Sequence, residues 1–302
     1  MDNVLNKQGS VTMAKSFKNY LSLVKFSHTI FAMPFAVIDF FYGLHVVHYT
    51  LHRPWWVVFI LVILCMVFAR SAAMAFNRYL DADFDSKNSR TIIREIPAGI
   101  ISKRNALLFV IFNSLAFMLT TYFINALCMV LAPVALFIIL FYSYTKRFTP
   151  LCHVVLGLGL SLAPIGAFIA VTGYFAVVPI LLSLSVLFWV SGFDIIYALQ
   201  DEHFDKEFQL HSIPSWLGPK RALRVSEFLH FLSAIAVVVA GFAGKFSWFY
   251  GAGVVAFSFF LIYQHLIVKP DDLTKVNKAF FTANGVASLA FCVFVLLDIF
   301  SF

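Results

Sequence analysis

Three oxygen-bearing side chains, Asn77, Asp81 and Asp85, recur every four residues in NRYLDADFD, where a long apolar run gives way to a polar loop. On a helix that spacing stacks all three on one face, successive turns apart. Carboxylates are costly near a bilayer, so a stack of them at the end of an apolar run points to a site. A second cluster, Asp194, Asp201 and Asp205 in DIIYALQDEHFD, follows at a fixed interval: Asp81 to Asp201 and Asp85 to Asp205 are both 120 residues. Each cluster ends an apolar run and precedes an Ile-Pro element, Ile96-Pro97 and Ile213-Pro214. The pattern is that of a weak parallel repeat with a site between its halves.

Carboxylate oxygens converging from two helices suit Mg²⁺, a hard cation that keeps several waters and bridges carboxylates to substrate phosphates. Lys25, Arg78, Arg94, Lys103, Arg147 and Lys206 share the same end of the apolar runs. Carboxylates, a metal and Lys/Arg together make a pyrophosphate cradle, and a long apolar cavity beneath would take a lipid diphosphate. The bland alternative is that Asp85, Asp201 and Asp205 are solvated loop charges. Two clusters with one topology, each preceded by a further polar residue (Asn77, Asp194), favour the site.

The elements that position these residues follow from composition. The 302 residues are 61% hydrophobic and 12% charged, against roughly 25% charged in a soluble domain, which excludes a single aqueous core. A span needs about 20 apolar residues, and nine segments qualify, at roughly 29–48, 56–80, 106–124, 126–144, 153–172, 175–200, 222–242, 246–268 and 279–300. Asn125 and Pro133 are expected to form the tight hairpin within 106–144. Nineteen of the 22 Lys and Arg residues then fall on one side; Arg53 and Lys245 lie opposite, and Arg70 lies inside a span. That bias predicts a cytoplasmic N-terminus and both acidic clusters facing the cytoplasm. It also explains the net charge of +7 as topology-setting loops, not a nucleic-acid surface. The four Cys residues lie in or beside apolar segments without paired spacing, as small core residues. One integral-membrane domain, 1–302, is expected, with 1–24 a polar cytoplasmic segment lacking a signal peptide.

NRYLDADFD with REIPAG resembles the first motif of the UbiA superfamily of intramembrane prenyltransferases, and DIIYALQDEHFD resembles its second. KFSHTIFAMPFA, YSYTKRFTPLCHVVLGLGLSLAPIGAF and LHSIPSWLG are also similar to the family, so the likeness covers most of residues 24–220; the last three helices add only hydrophobic pattern. The wording is nearest the 4-hydroxybenzoate polyprenyltransferase branch and, within it, the enzymes that prenylate 1,4-dihydroxy-6-naphthoate on the futalosine route to menaquinone. The resemblance implies an all-α bundle of nine transmembrane helices in a bacterial inner membrane, Mg²⁺, a polyprenyl diphosphate donor and an aromatic carboxylate acceptor. It matches Asn77, Asp81 and Asp85 to the first metal–diphosphate motif and Asp201 and Asp205 to the second, with Asp194 seven residues before. It places Arg70 near the acceptor pocket and Arg147 on the acceptor carboxylate.

The residues add detail. A guanidinium inside a span is expensive, so Arg70 either contacts substrate or pairs with a buried acid; its fork suits a carboxylate. Arg94 is expected to help cover the diphosphate. Tyr142, Tyr144 and Tyr197 could face an allyl cation, bind phosphate or simply pack. His28 is a diphosphate donor or an interface residue, Asp39 faces a polar interior, and Asp298 sits at the outer interface. His45, His48, His52 and Arg53 read as an ordinary polar loop. Within the family, 4-hydroxybenzoate for ubiquinone and a tetrapyrrole are rival acceptors. A secondary transporter is the rival of another class, but its acids belong near the bilayer midplane.

Overall fold

The computed structural model describes residues 19–20, 22–24, 31–47 and 53–301; Lys25, His28, His48 and His52 lie outside them. Among the described residues the chain is helical, with no β-strand. Eight segments are long and apolar enough to cross a membrane, and Met33–Val46 is a shorter apolar helix, so nine helices match the nine expected runs. They are α1 (Met33–Val46), α2 (Trp55–Asp85), α3 (Lys103–Tyr122), α4 (Ala126–Thr145), α5 (Cys152–Thr172) and α6 (Val177–Ala198). A 3₁₀ turn (Leu199–Asp201) and the short helices α7 (Glu202–Glu207) and α8 (Ile213–Leu217) follow. The chain continues as α9 (Pro219–Gly244), α10 (Trp248–Ile267), a π-helical turn (Lys278–Ala283) and α11 (Asn284–Ser301).

Length decides where the first motif sits. At 31 residues α2 spans about 46 Å at 1.5 Å per residue, well over a hydrocarbon thickness of about 30 Å. Its last turns, with Asn77, Asp81 and Asp85, therefore extend beyond the apolar run that anchors it. The helix ends five residues later than the hydropathy pattern predicts, running through DADFD to Asp85.

The α3–α4 hairpin turns on one side chain. Asn125 accepts from Cys128 N–H (2.8 Å), capping α4, and donates to the Ile169 carbonyl of α5 (2.8 Å). Pro133 takes no part in the turn: it lies inside α4. Asp298 lies at the end of the bundle expected for it, beside Ser247 just after Lys245, but as a buried cap and not an exposed interface residue. It accepts from the backbone N–H groups of Ser247 (2.9 Å) and Tyr250 (3.1 Å), capping the start of α10. Asp39 is fully buried, and neither carboxylate oxygen has a hydrogen-bond partner.

At the centre stands α6, whose Leu182, Val186, Trp189 and Val190 are buried among Phe35, Phe257 and Phe291 from α1, α10 and α11. Lipid tails are as apolar as leucine, so close packing and hydrogen bonds hold such helices together. Gly157 lets α5 approach the Leu187 carbonyl of α6, where a Cβ would lie 2.4 Å away. Gly192 similarly admits the His230 ring of α9. Ser226 donates to the Gly192 carbonyl (2.7 Å), and Ser185 and Ser233 share a hydrogen bond (2.8 Å). Outward faces carry Leu108, Phe112, Leu115 and Leu119.

Candidate active site

Both acidic motifs open onto one cavity of about 270 Å³, walled by the ends of α2, α4, α5 and α6 and by the loop after α2. Five carboxylates line it: Asp81, Asp85, Asp194, Asp201 and Asp205. So do six cations: Arg70, Arg78, Arg90, Arg94, Lys146 and Arg147. The balance suits a polyanion arriving with metal. A second, apolar cavity of about 210 Å³ lies among α2, α3, α4 and α5 and shares Arg70, Tyr142, Leu156 and Leu160 with the first.

Each carboxylate has a partner. Asp81 accepts from Asn77 one turn earlier (2.9 Å) and faces Arg147 (3.4 Å), which also donates to the Leu80 carbonyl (2.8 Å). Asp85 accepts from Arg94 (2.6 Å), while its Oδ2, 4.0 Å from Arg78, is buried without a hydrogen bond. Arg90 reaches across from the loop after α2 and grips both oxygens of Asp201, while its Nη1 donates to the Tyr197 hydroxyl (3.0 Å). Burial disfavours the Arg90 charge, but Asp201 beside it holds its pKa above the ordinary value. Lys146 pairs with Asp205 (2.6 Å), and Ser212 donates to the other Asp205 oxygen (2.8 Å). Burial opposes the Lys146 charge too, and Asp205 more than offsets it, raising the ammonium pKa.

Asp194 is held by a residue that sequence patterns passed over. His153 Nε2 accepts from the Ile213 N–H (3.3 Å), so the ring proton sits on Nδ1 and points at Asp194 Oδ2 (2.7 Å). His153 is an apolar-helix histidine with no local partner, and only the fold brings it to Asp194. Arg90 and Lys146 were likewise legible only as topology-setting charges, and Phe280 as one apolar residue among many.

The structure brings Asn77, Asp81, Asp85, Asp194, Asp201, Asp205, Arg70, Arg94, Arg147, Tyr142 and Tyr197 to the polar cavity. Three expected cationic or aromatic contributors are elsewhere. Lys103 pairs with the exposed Asp83 (2.7 Å), Lys206 pairs with Glu202 (2.5 Å), and Tyr144 is exposed with its ring beneath Arg147. Local i,i+4 and cross-loop partners are simply closer to these side chains than the cavity is. Asp205, though adjoining the cavity, is fully buried between Lys146 and Ser212. Among the described residues no three acidic, His or Cys groups converge as a ready cation cage. The set nonetheless fits Mg²⁺ bound in company with a phosphate: every donor is a hard oxygen, and Asp85 Oδ2 is a buried acceptor still without a donor.

A profile of the UbiA prenyltransferase family matches residues 36–286, reaching into the final helix. The chain is 31% identical to a Nitrosomonas europaea protein named 4-hydroxybenzoate octaprenyltransferase over 242 residues, 80% of this chain and 82% of that one. A Francisella tularensis subsp. novicida protein of the same name is 29% identical over 231 residues, 76% of this chain and 81% of its own length. Among solved structures, a UbiA homolog from Aeropyrum pernix K1 superposes with a TM-score of 0.75 at 28% identity, covering 91% of this chain and 97% of that one. A UbiA homolog from Archaeoglobus fulgidus bound to DMAPP and Mg²⁺ has the same fold, with a TM-score of 0.67 at 23% identity, covering 94% and 100%. With two acidic motifs meeting over one cavity in a membrane-spanning helical bundle, the chain belongs to the UbiA prenyltransferase family.

Proposed function

We propose that the chain transfers a polyprenyl group from a polyprenyl diphosphate to an aromatic hydroxy-acid in quinone biosynthesis, with a 1,4-dihydroxy-6-naphthoate-type acceptor of the menaquinone route. The observation that carries an acidic acceptor is Arg70. Among the described residues no carboxylate pairs with it, its Nε has no hydrogen-bond partner, and it stands where the polar and apolar cavities meet. A buried guanidinium without a counterion is stabilised by an anionic substrate, and its planar fork matches a carboxylate. Wording of the motifs favours the naphthoate; the names of the curated relatives favour 4-hydroxybenzoate as the second reading.

Asn77, Asp81 and Asp85 on one side and Asp201 and Asp205 on the other would hold Mg²⁺ with the diphosphate. Bound there, the metal would supply Lewis-acid stabilisation of the charge on the departing group. The chain's own cations then have defined work. Arg90 and Arg94, turning from Asp201 and Asp85 toward phosphate oxygens, would lower the barrier to heterolysis of the allylic C–O bond, while Lys146 stays on Asp205 and Arg147 is placed for the acceptor carboxylate. Arg70 orients the acceptor ring. The ring carbon attacks the allylic carbon, and loss of the proton from that ring carbon to the departed diphosphate or to water restores aromaticity. Asp194, fixed through one oxygen by His153 and lining the cavity, would accept from the acceptor's hydroxyl. The Lys/Arg bias supports a site on the cytoplasmic face of a bacterial inner membrane.

The test is purified protein in detergent with Mg²⁺, a polyprenyl diphosphate and each acceptor in turn. Prenylated naphthoate is expected. Product with 4-hydroxybenzoate alone would favour the second reading, and no diphosphate release with any acceptor would sink both. Arg70→Ala should raise the acceptor KM far more than the donor KM.

A further inference from the structure

The π-helical turn at Lys278–Ala283 lies in the part of the chain where the sequence shows only apolar pattern. Such turns are rare because they widen the helix and leave carbonyls without a regular partner. Here one fully buried side chain repairs the defect. Asn284 Nδ2 donates to the Phe280 carbonyl (2.9 Å) and the Ala279 carbonyl (3.3 Å). Its Oδ1 accepts from Trp189 Nε1 (2.8 Å) and Gln264 Nε2 (2.8 Å), tying the turn to α6 and α10. Unsatisfied backbone groups are costly in a bilayer, so Asn284 is what lets the extra residue persist.

The turn sets the direction of Phe280. Relative to α11, one inserted residue rotates the preceding turn by about 100°. In the π register the Phe280 ring lies 4.2 Å from Tyr197, 5.3 Å from Phe193 and 5.5 Å from Phe31 between centroids. All four rings line the polar cavity. Tyr197 is in turn bonded through its hydroxyl to Arg90, the partner of Asp201. An aromatic wall thus begins one side chain away from the second acidic motif.

We infer that Phe280 contacts the allylic segment of the prenyl donor and that Asn284 is the residue that positions it. This rests on the prenyl-transfer reading above. When the C–O bond breaks, its electron pair leaves with the diphosphate and the allylic carbon becomes cationic. The Phe280 ring stabilises that carbon and keeps water from it, with Tyr197, packed between Phe280 and Arg90, backing it. The cation then has two fates: bond formation to the acceptor ring, or attack by water to give prenyl alcohol and a proton. Phe280 favours the first.

The experiment measures kcat and the ratio of prenylated acceptor to free prenyl alcohol, with the melting temperature in detergent recorded for each variant. Phe280→Leu should lower kcat by about thirtyfold and raise the alcohol share severalfold. Phe280→Tyr, which keeps the ring, should stay within about twofold of wild type. Deleting Thr282, an exposed residue of the π turn, should restore an ordinary α-helix and reproduce the Phe280→Leu partition. An unchanged ratio and kcat in Phe280→Leu would overturn the inference, as would equal losses in the Leu and Tyr variants at unchanged melting temperature. If wild-type protein releases no diphosphate from any donor, the prenyl-transfer reading fails and takes this one with it. A working wild type with an indifferent Phe280→Leu defeats this inference alone.

Discussion

The two acidic motifs share a spacing but not a construction. Asp81 and Asp85 sit on the continuous helix α2, where Asn77 bonds to Asp81 within the same face. Asp201 and Asp205 sit where α6 ends, divided between a 3₁₀ turn and the six-residue helix α7. A long helix orients its side chains by its own geometry. A broken one cannot, so the second motif is held from outside: Asp201 by Arg90 of the loop after α2, Asp205 by Lys146 after α4 and by Ser212 before α8. The first half of the site is ordered largely by α2 and the loop after it, with Arg147 reaching Asp81 from beyond α4, and the second depends more heavily on the rest of the bundle being in place.

Substitutions can break or sharpen that contrast. Asp81→Ala and Asp201→Ala should each lower kcat by about a thousandfold, measured as diphosphate release, whichever way the carboxylate is held; near-wild-type turnover in either would refute the paired motif. The halves should differ in stability. Lys146→Met leaves Asp205 buried without its cation and should cost about 3–5 kcal/mol, whereas Arg147→Met, beside the more accessible Asp81, should cost about 1 kcal/mol or less. Detergent melting curves compare them, and equal shifts would erase the distinction. Arg90→Ala should reduce kcat about tenfold and loosen the loop at Asn88–Arg94 in hydrogen exchange, while Lys103→Ala, which faces Asp83 outside the cavity, should stay within about twofold. The smallest effect is alkaline. Lys146 has a folded pKa above its ordinary 10.5, so its stabilisation is complete below that value and disappears as pH rises through the folded pKa. Lys146→Arg should therefore lose less stability than wild type when melting is followed above about pH 10.5.

The spans and the first motif were legible because hydropathy and i,i+4 spacing are local properties, and α2 expresses both in one element. The second motif was legible in residue identity but not in shape: DIIYALQDEHFD carries no Gly or Pro to announce that the helix breaks. Partners separated by long stretches of chain were the least legible. His153 meets Asp194, Lys146 meets Asp205 and Arg90 meets Asp201 only after helices from both halves have packed. The π turn was invisible because it depends on Asn284 finding Trp189 and Gln264 on other helices. Lys103 and Tyr144 misled for the converse reason: they lie beside motif residues in sequence, yet point away from the cavity.

The cap that Asp298 places on α10 bears on biogenesis. Helix N-termini leave backbone N–H groups without intrahelical acceptors, and at α10 two of them, on Ser247 and Tyr250, are satisfied by a carboxylate some fifty residues downstream. A chain inserted from its N-terminus has made α10 before that acceptor has been synthesised. The start of α10 must therefore wait, frayed or hydrated, until the last helix enters beside it. Insertion of α11 completes its predecessor, and the final steps of assembly are cooperative rather than sequential.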